Sequence, residues 1–185
     1  MDIQKQLLAE HSRQNTDRII RWVGRDPKRL AEVMKVFLGS DALLVQRCAW
    51  IVGIIGESHP AMLQPWIGKM IRKMREPGVH DAVRRNVVRA LQFMEIPSRQ
   101  LGTVTAVCFD ALSSGECPVA VKVFAMTVLA QIIEREPDLE REFRLVIEQQ
   151  LPYASGAFRS RARHVLKSLP KHESSVPPGA GDLPF

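Results

Sequence analysis

Apolar residues recur along most of this chain at steps of three and four residues, the spacing that places side chains on one face of an α-helix. Between residues 80 and 95, the apolar face consists of Val83, Val87, Ala90, Leu91 and Met94. The alternating pattern of a half-buried strand does not occur over any useful length. The pattern therefore predicts an all-α protein.

Prolines divide this helical pattern into segments. Proline is well tolerated in the first turn of a helix because the N–H that it lacks would have no intrahelical partner there. The dividing prolines are Pro27, Pro60, Pro97, Pro118 and Pro137. With these breaks, the sequence predicts helices at about residues 3–12, 15–24, 27–38, 41–56, 60–75, 79–94, 97–113, 118–135, 137–150 and 155–168. The short connections favour antiparallel packing of successive helices.

The last residues of the chain have a different composition. The segment 171–185 reads KHESSVPPGAGDLPF and is rich in proline, glycine and serine. Such a segment has little apolar surface to bury, so we expect a disordered tail. The folded domain is expected to span residues 1–170.

The helical pattern repeats with a period of about 38 residues. The aligned apolar positions are Val45, Val83, Val121 and Phe158. Four residues later comes a column of small or β-branched residues, namely Ala49, Val87, Ala125 and Ala162. One helical hairpin of this length cannot bury its own apolar face, whereas stacked copies bury a continuous core.

Three stretches carry a resemblance to a known family. They read VQRCAWIVGIIG, AVRRNVVRAL and FRSRARHVLKSL, and they resemble the second helix of HEAT repeats. The spacing from Asp41 to Arg47 is similar to that of the Asp–Arg ladder of those repeats. The resemblance covers about residues 15–168 and implies a right-handed α-α superhelix of about four helical hairpins. It also implies that the second helix of each hairpin lines a concave face.

The charge of the chain is moderately basic and unevenly distributed. The 185 residues include 26 Lys and Arg against 20 Asp and Glu, a net charge of +6. Residues 69–89 and 155–171 are basic, whereas residues 134–148 are acidic. This distribution permits an acidic partner, which would be an acidic protein or a nucleic acid.

Three cysteines, Cys48, Cys108 and Cys117, form no CxxC pair. An odd number of cysteines in apolar helical stretches is typical of buried, reduced thiols, and so predicts a reducing cytoplasm. The polar N-terminus has no signal-peptide core, and charged or amide residues interrupt every apolar stretch before it could span a membrane.

The repeat register aligns polar positions of successive second helices. One column consists of Gln46, Arg84, Lys122 and Arg159. A row of cations would bind phosphates or an acidic peptide. The same row would equally arise on a solvated face whose arginines bond helix ends and acids of the chain itself. The candidate partner-binding residues are Arg84, Arg85, Arg89, Lys122, Arg159, Arg163 and Trp50, and Trp50 would be either an exposed stacking residue or part of the core.

Signatures of catalysis do not occur in this sequence. The five histidines form no HExxH pattern, and there is no GxSxG motif or glycine-rich phosphate loop. We therefore expect no catalytic residue, no cofactor and no metal site. DNA alkylation repair glycosylases resemble this architecture, with a basic groove, aromatics and a carboxylate, and we keep their chemistry as an alternative.

These observations predict a non-catalytic scaffold or adaptor that binds a protein or acidic peptide through the concave face. Apolar groove residues, namely Trp50, Val88 and Met126, are expected to contribute to such binding. Nucleic-acid binding through the same groove is the alternative, and a groove closed by the ends of the chain is a third possibility. The sequence leaves the oligomeric state open.

Overall fold

A computed structural model describes residues 1–169, and the predicted tail at 171–185 lies outside them. Residues 1–169 contain α-helices and short 3₁₀ turns but no strand, which confirms the all-α prediction. The helices are α1 (Ile3–Ala9), α2 (Arg13–Val23), α3 (Pro27–Phe37), α4 (Ala42–Ser58), α5 (Pro60–Leu63), α6 (Ile67–Met74), α7 (Asp81–Leu91), α8 (Ser98–Ser113), α9 (Val119–Ile133), α10 (Glu140–Gln150) and α11 (Gly156–Ser168).

Side chains that precede the helices fix where they begin. The carboxylate of Asp41 accepts a hydrogen bond of 2.9 Å from the backbone N–H of Leu44 and so caps α4. His80 caps α7, because its Nδ1 accepts from the N–H of Ala82 at 3.0 Å. Such caps satisfy N–H groups of the first turn, which have no partner inside the helix. Pro27 stands in the first turn of α3.

The single helix predicted over 60–75 is wrong. A 3₁₀ turn at Gln64–Trp66 separates α5 from α6. Pro65 explains the break, because a proline inside a helix removes a hydrogen bond and its ring clashes with the preceding turn. The helix predicted over 137–150 also begins later, since Pro137–Leu139 forms a 3₁₀ turn before α10.

The helices form four stacked hairpins, which confirms the predicted helical repeat. In chain order, the hairpins comprise α3 and α4, then α5 to α7, then α8 and α9, and finally α10 and α11. Within them, α3 contacts α4, α6 contacts α7, and α8 contacts α9. The second helices, here called B helices, pack in the order α4, α7, α9 and α11. The first helices, here called A helices, form the other layer, in which α6 contacts α8 and α8 contacts α10. The short helices α1 and α2 pack against α3 and α4.

The predicted repeat columns lie in the core between these layers. Val45, Val83, Val121 and Phe158 are all buried. The column that begins at Ala49 is fully buried in every hairpin. Because each hairpin exposes its apolar face until the next one covers it, burial of these columns holds neighbouring repeats together.

The closest contact between repeats joins α4 to α7. A Cβ added at Gly56 would lie 2.4 Å from the Cβ of Ala90 and 2.7 Å from its Cα. A Cβ added at Gly53 would lie 2.5 Å from Oδ1 of Asn86. Since these distances are far below a van der Waals contact, only glycine permits the two helices to approach this closely.

Long polar side chains form a second set of contacts between repeats. Each donates a hydrogen bond to a backbone carbonyl that lies about one repeat earlier in the chain. Two of these carbonyls belong to the last turn of a helix, where they lack an intrahelical partner, and the other two lie in loops that follow a helix. The bonds are Arg47 to Leu7 (2.6 Å), Lys73 to Gly39 (2.7 Å), Arg135 to Ile96 (2.7 Å) and Gln150 to Leu112 (2.6 Å).

Asp41 and Arg47 have separate roles in the structure, although their spacing resembles that of a ladder pair. Asp41 caps its own helix, and Arg47 reaches back to Leu7 at the end of α1. Within residues 1–169 the two side chains form no ion pair with each other. Arg47 therefore fixes the N-terminal helix against the first B helix.

The close packing of α4 on α7 makes a testable prediction. Replacing Gly56 with alanine should lower the free energy of unfolding by about 1–3 kcal/mol, because the new methyl group overlaps Ala90. Urea unfolding followed by circular dichroism would measure the change.

Gly102→Ala in the middle of α8 is the matched control, since a Cβ there meets nothing within 4 Å. That variant should be unchanged, or more stable by up to about 1 kcal/mol. Equal stabilities for the two variants would contradict the packing.

Candidate partner-binding face

The exposed and half-buried side chains of α4, α7, α9 and α11 form one surface, here called the B-helix face. Cations strongly outnumber acids on these four helices. The cations are Arg47, Arg84, Arg85, Arg89, Lys122, Arg159, Arg161, Arg163 and Lys167, and the acids are Glu57 and Asp81. Nine cations against two acids give these helices a formal charge of 9 − 2 = +7, whereas the whole chain carries +6.

Both acids of the B-helix face are already paired with predicted site residues. Arg84 lies 3.2 Å from Asp81, one turn earlier on the same helix. Arg89 forms an ion pair with Glu57 of the neighbouring helix α4. These partly exposed pairs each contribute about 0–1 kcal/mol, so they orient the side chains more than they stabilise the fold.

Two further predicted residues bond to polar groups of the last hairpin. Lys122 Nζ donates to Oε1 of Gln150 at 2.6 Å. Arg159 donates to the backbone carbonyl of Ala154 at 2.6 Å. Both cations thus hold the loop edge of the hairpin that contains α10 and α11.

The predicted column of polar residues does not line one continuous groove. Gln46, Arg84 and Lys122 lie at the edge where A helices connect to B helices, and each lines a separate cleft between successive hairpins. The clefts have volumes of about 480, 360 and 300 Å³. Residues of the connecting loops line each cleft and lie between Gln46, Arg84 and Lys122.

Arg85 and Trp50 come together in a different cleft, of about 310 Å³, which we call the Trp50 cleft. Trp50 is half-buried there, so it is neither a fully exposed stacking residue nor part of the core. The ring of His11 meets the Trp50 ring edge-on, with centroids 5.7 Å apart and planes at 68°. The cleft is lined by His11, Gln46, Trp50, His80, Ala82, Arg85 and Asn86.

Arg85 and Arg163 differ from the other predicted residues. Both side chains are exposed, and neither has a hydrogen bond or ion pair within residues 1–169. The expectation that Val88 and Met126 line a groove is wrong, because both are fully buried in the core. Of the three apolar side chains predicted to contact a partner, only Trp50 is accessible.

The cysteines lie in low-dielectric surroundings. Burial raises the pKa of the Cys48 and Cys108 thiols to about 12. Burial also raises the pKa of Cys117, which is half-buried at the edge near Lys122. In the part of the chain that the structure describes, no three His, Cys, Asp or Glu side chains are grouped so that they could hold a metal ion.

A family model describes this arrangement of helices. The model of the HEAT repeat domain matches residues 3–169. The chain belongs to the HEAT repeat domain family. No curated protein and no solved structure gives a significant match. This HEAT repeat protein is thus a helical repeat scaffold, and none of the helices within residues 1–169 has the length and apolar content needed to cross a bilayer.

His11 and His80 line the Trp50 cleft, but neither is among the residues that the sequence analysis singled out as partner-binding. The repeat register aligns equivalent positions about 38 residues apart, whereas the touching residues of α4 and α7 are closer in sequence. Gly53 meets Asn86, and Gly56 meets Ala90. Applying the shorter offset of these contacts to Trp50 would have placed its ring beside the first turn of α7.

The environments of the thiols make a second prediction. In the native protein, Ellman's reagent should modify Cys117 slowly and leave Cys48 and Cys108 unmodified, because only Cys117 is partly accessible. The rate at Cys117 should rise with pH, since the thiolate is the reacting species and its pKa is raised. In denaturant, the reagent should react with all three thiols and release three equivalents of thionitrobenzoate. Rapid reaction of all three thiols in native protein would show that the core between the A and B helices is not packed as described, because Cys48 lies on α4 and Cys108 on α8.

Proposed function

We propose that this HEAT repeat protein is a non-catalytic scaffold whose B-helix face binds an acidic segment of a protein partner. The observation that carries the proposal is that Arg85 and Arg163 are exposed and have no acceptor within residues 1–169. Both acids of these helices are already paired with other arginines. Acceptors for the remaining guanidinium groups must therefore come from solvent or from a partner.

The distribution of unpaired cations favours a protein over a nucleic acid. Affinity for a nucleic acid depends on how many phosphates the protein neutralises along a continuous path. On α9, the only cation is Lys122, and it is bonded to Gln150. The unpaired cations of α7 and α11 are thus separated by a helix that offers none. An acidic protein segment needs only a few well-placed charge pairs together with an apolar contact, for which Trp50 is available.

The groups that glycosylase chemistry would need are also dispersed. The two acids of the B-helix face stand at helix ends and are paired, Glu57 in the last turn of α4 with Arg89 and Asp81 at the start of α7 with Arg84. Trp66 lies in the turn before α6, where Lys69 stands over its ring at 4.8 Å. Trp22 belongs to α2. This arrangement supports binding rather than excision of a base.

Charge reversal on the B-helix face tests the proposal. The double variant Arg85→Glu/Arg163→Glu should weaken binding of a fluorescein-labelled peptide of Asp, Glu and Leu by about tenfold or more, because each reversal turns an attraction into a repulsion. Fluorescence anisotropy would measure the affinity. The matched control is Arg99→Glu/Arg141→Glu, which changes the net charge equally through exposed arginines of the A helices. The control should retain most of the binding.

The same assay with labelled duplex DNA separates the two classes of partner. A protein-binding face should bind the DNA weakly near physiological salt. Suppose instead that DNA binds more tightly than the peptide, with a log–log salt slope that corresponds to about four or more phosphates at roughly −0.9 each. If the B-helix variant then abolishes this binding while the A-helix variant does not, the partner is a nucleic acid and the proposal is wrong.

A further inference from the structure

We propose that the Trp50 cleft anchors the partner by holding one of its carboxylate groups, an inference that rests on the proposed function. The cleft lies where the turn between α1 and α2 meets α4 and the start of α7. It brings donors of hydrogen bonds together from three parts of the chain. Its lining residues include no acid.

The donors in the cleft have no acceptors. Within residues 1–169, no hydrogen bond is made by the side chains of His11, Gln46, Trp50 or Arg85. These groups offer imidazole, amide, indole and guanidinium N–H donors. His80 accepts from the backbone at Nδ1, so its neutral form carries the proton on Nε2 and adds a fifth donor. A ligand for this cleft must therefore supply acceptors.

The acids on and next to α4 and α7 bond to other groups, and none of them lines the cleft. Asp41 caps α4, and Asp81 pairs with Arg84, one turn further along α7. Glu57 pairs with Arg89. Arg85 has no ion pair with any of these acids, and it gives the cleft a positive charge. This charge favours an anion as the ligand.

The shape and the remaining surface favour a carboxylate on a short aliphatic stem. The planar fork of an arginine matches the two oxygens of a carboxylate, and the half-exposed Trp50 ring offers an apolar wall for the stem. His11 holds that ring from its edge. A glutamate or aspartate side chain and the C-terminal carboxylate of a chain share this chemistry. The experiment therefore tests both sources.

The indole N–H signals of ¹⁵N-labelled protein report directly on the cleft. The protein has three tryptophans, Trp22, Trp50 and Trp66, and the variant Trp50→Phe would assign the signal of the cleft. Two probes are titrated separately: N-acetylglutamate N-methylamide, which has a side-chain carboxylate, and N-acetylglycylleucine, which has a C-terminal one. The neutral glutamine analogue is the control.

We expect a saturable shift of the Trp50 signal with at least one carboxylate, no shift with the neutral analogue, and unchanged signals from Trp22 and Trp66. The probe that saturates at lower concentration identifies the source.

A pair of matched variants tests whether Arg85 supplies the charge. Arg85→Gln should weaken binding of the carboxylate probe about tenfold to a hundredfold, since it removes a charge-assisted hydrogen bond. Arg99→Gln should leave the titration unchanged, because that exposed arginine lies on α8 and does not line the cleft. Both variants should melt like the wild type, since neither side chain has a hydrogen bond or ion pair within residues 1–169. The inference is overturned if neither carboxylate shifts the Trp50 signal, or if Arg85→Gln binds as the wild type does.

The two proposals fail in different ways. If the acidic peptide binds and depends on the B-helix arginines while the Trp50 signal stays fixed, the proposed function stands and the cleft is not the anchor. If small carboxylates shift the Trp50 signal but the acidic peptide does not bind, the cleft is a carboxylate site and the proposed function is wrong.

Discussion

The rest of this structure depends on the close approach of α4 to α7. Two glycines, Gly53 and Gly56, remove the side chains that would otherwise hold the backbones apart, and Asn86 and Ala90 fill the space. The approach fixes the offset between the first two B helices. It thereby brings Trp50 against the first turn of α7, on the same face as Arg85. A larger residue at either glycine would change the stacking of the repeats and the cleft together.

Polar side chains complete what the apolar packing begins. Arg47 bonds Leu7 at the end of α1, and Asn15 donates to the carbonyls of Gln6 and Glu10. These bonds hold the turn after α1, from which His11 reaches the Trp50 ring. Cations in this protein therefore serve two purposes. Some satisfy carbonyls and acids of the chain itself, and the few that remain unpaired are the ones on which the proposed binding of an acidic partner rests.

Sequence patterns predict the fold well because burial follows the repeat period. The column from Val45 is buried in every hairpin, as the periodicity indicates, and the break at Pro65 was the main error in the helices. The candidate site was less predictable. A period shows which positions are equivalent, but not which cations will find partners across loops, as Lys122 does. It also placed Val88 on a surface, whereas the offset between α4 and α7 buries it.

The central claim is that the packing of α4 on α7 creates the binding face. The most direct test measures the affinity of the acidic peptide for Gly56→Ala by anisotropy, at a temperature where circular dichroism shows the variant to be folded. Gly56 is buried and cannot touch a partner. We expect the Gly56→Ala substitution to weaken binding of the peptide and Gly102→Ala to leave it unchanged. Wild-type affinity in a folded Gly56→Ala protein would show that the binding face does not depend on the packing of α4 on α7.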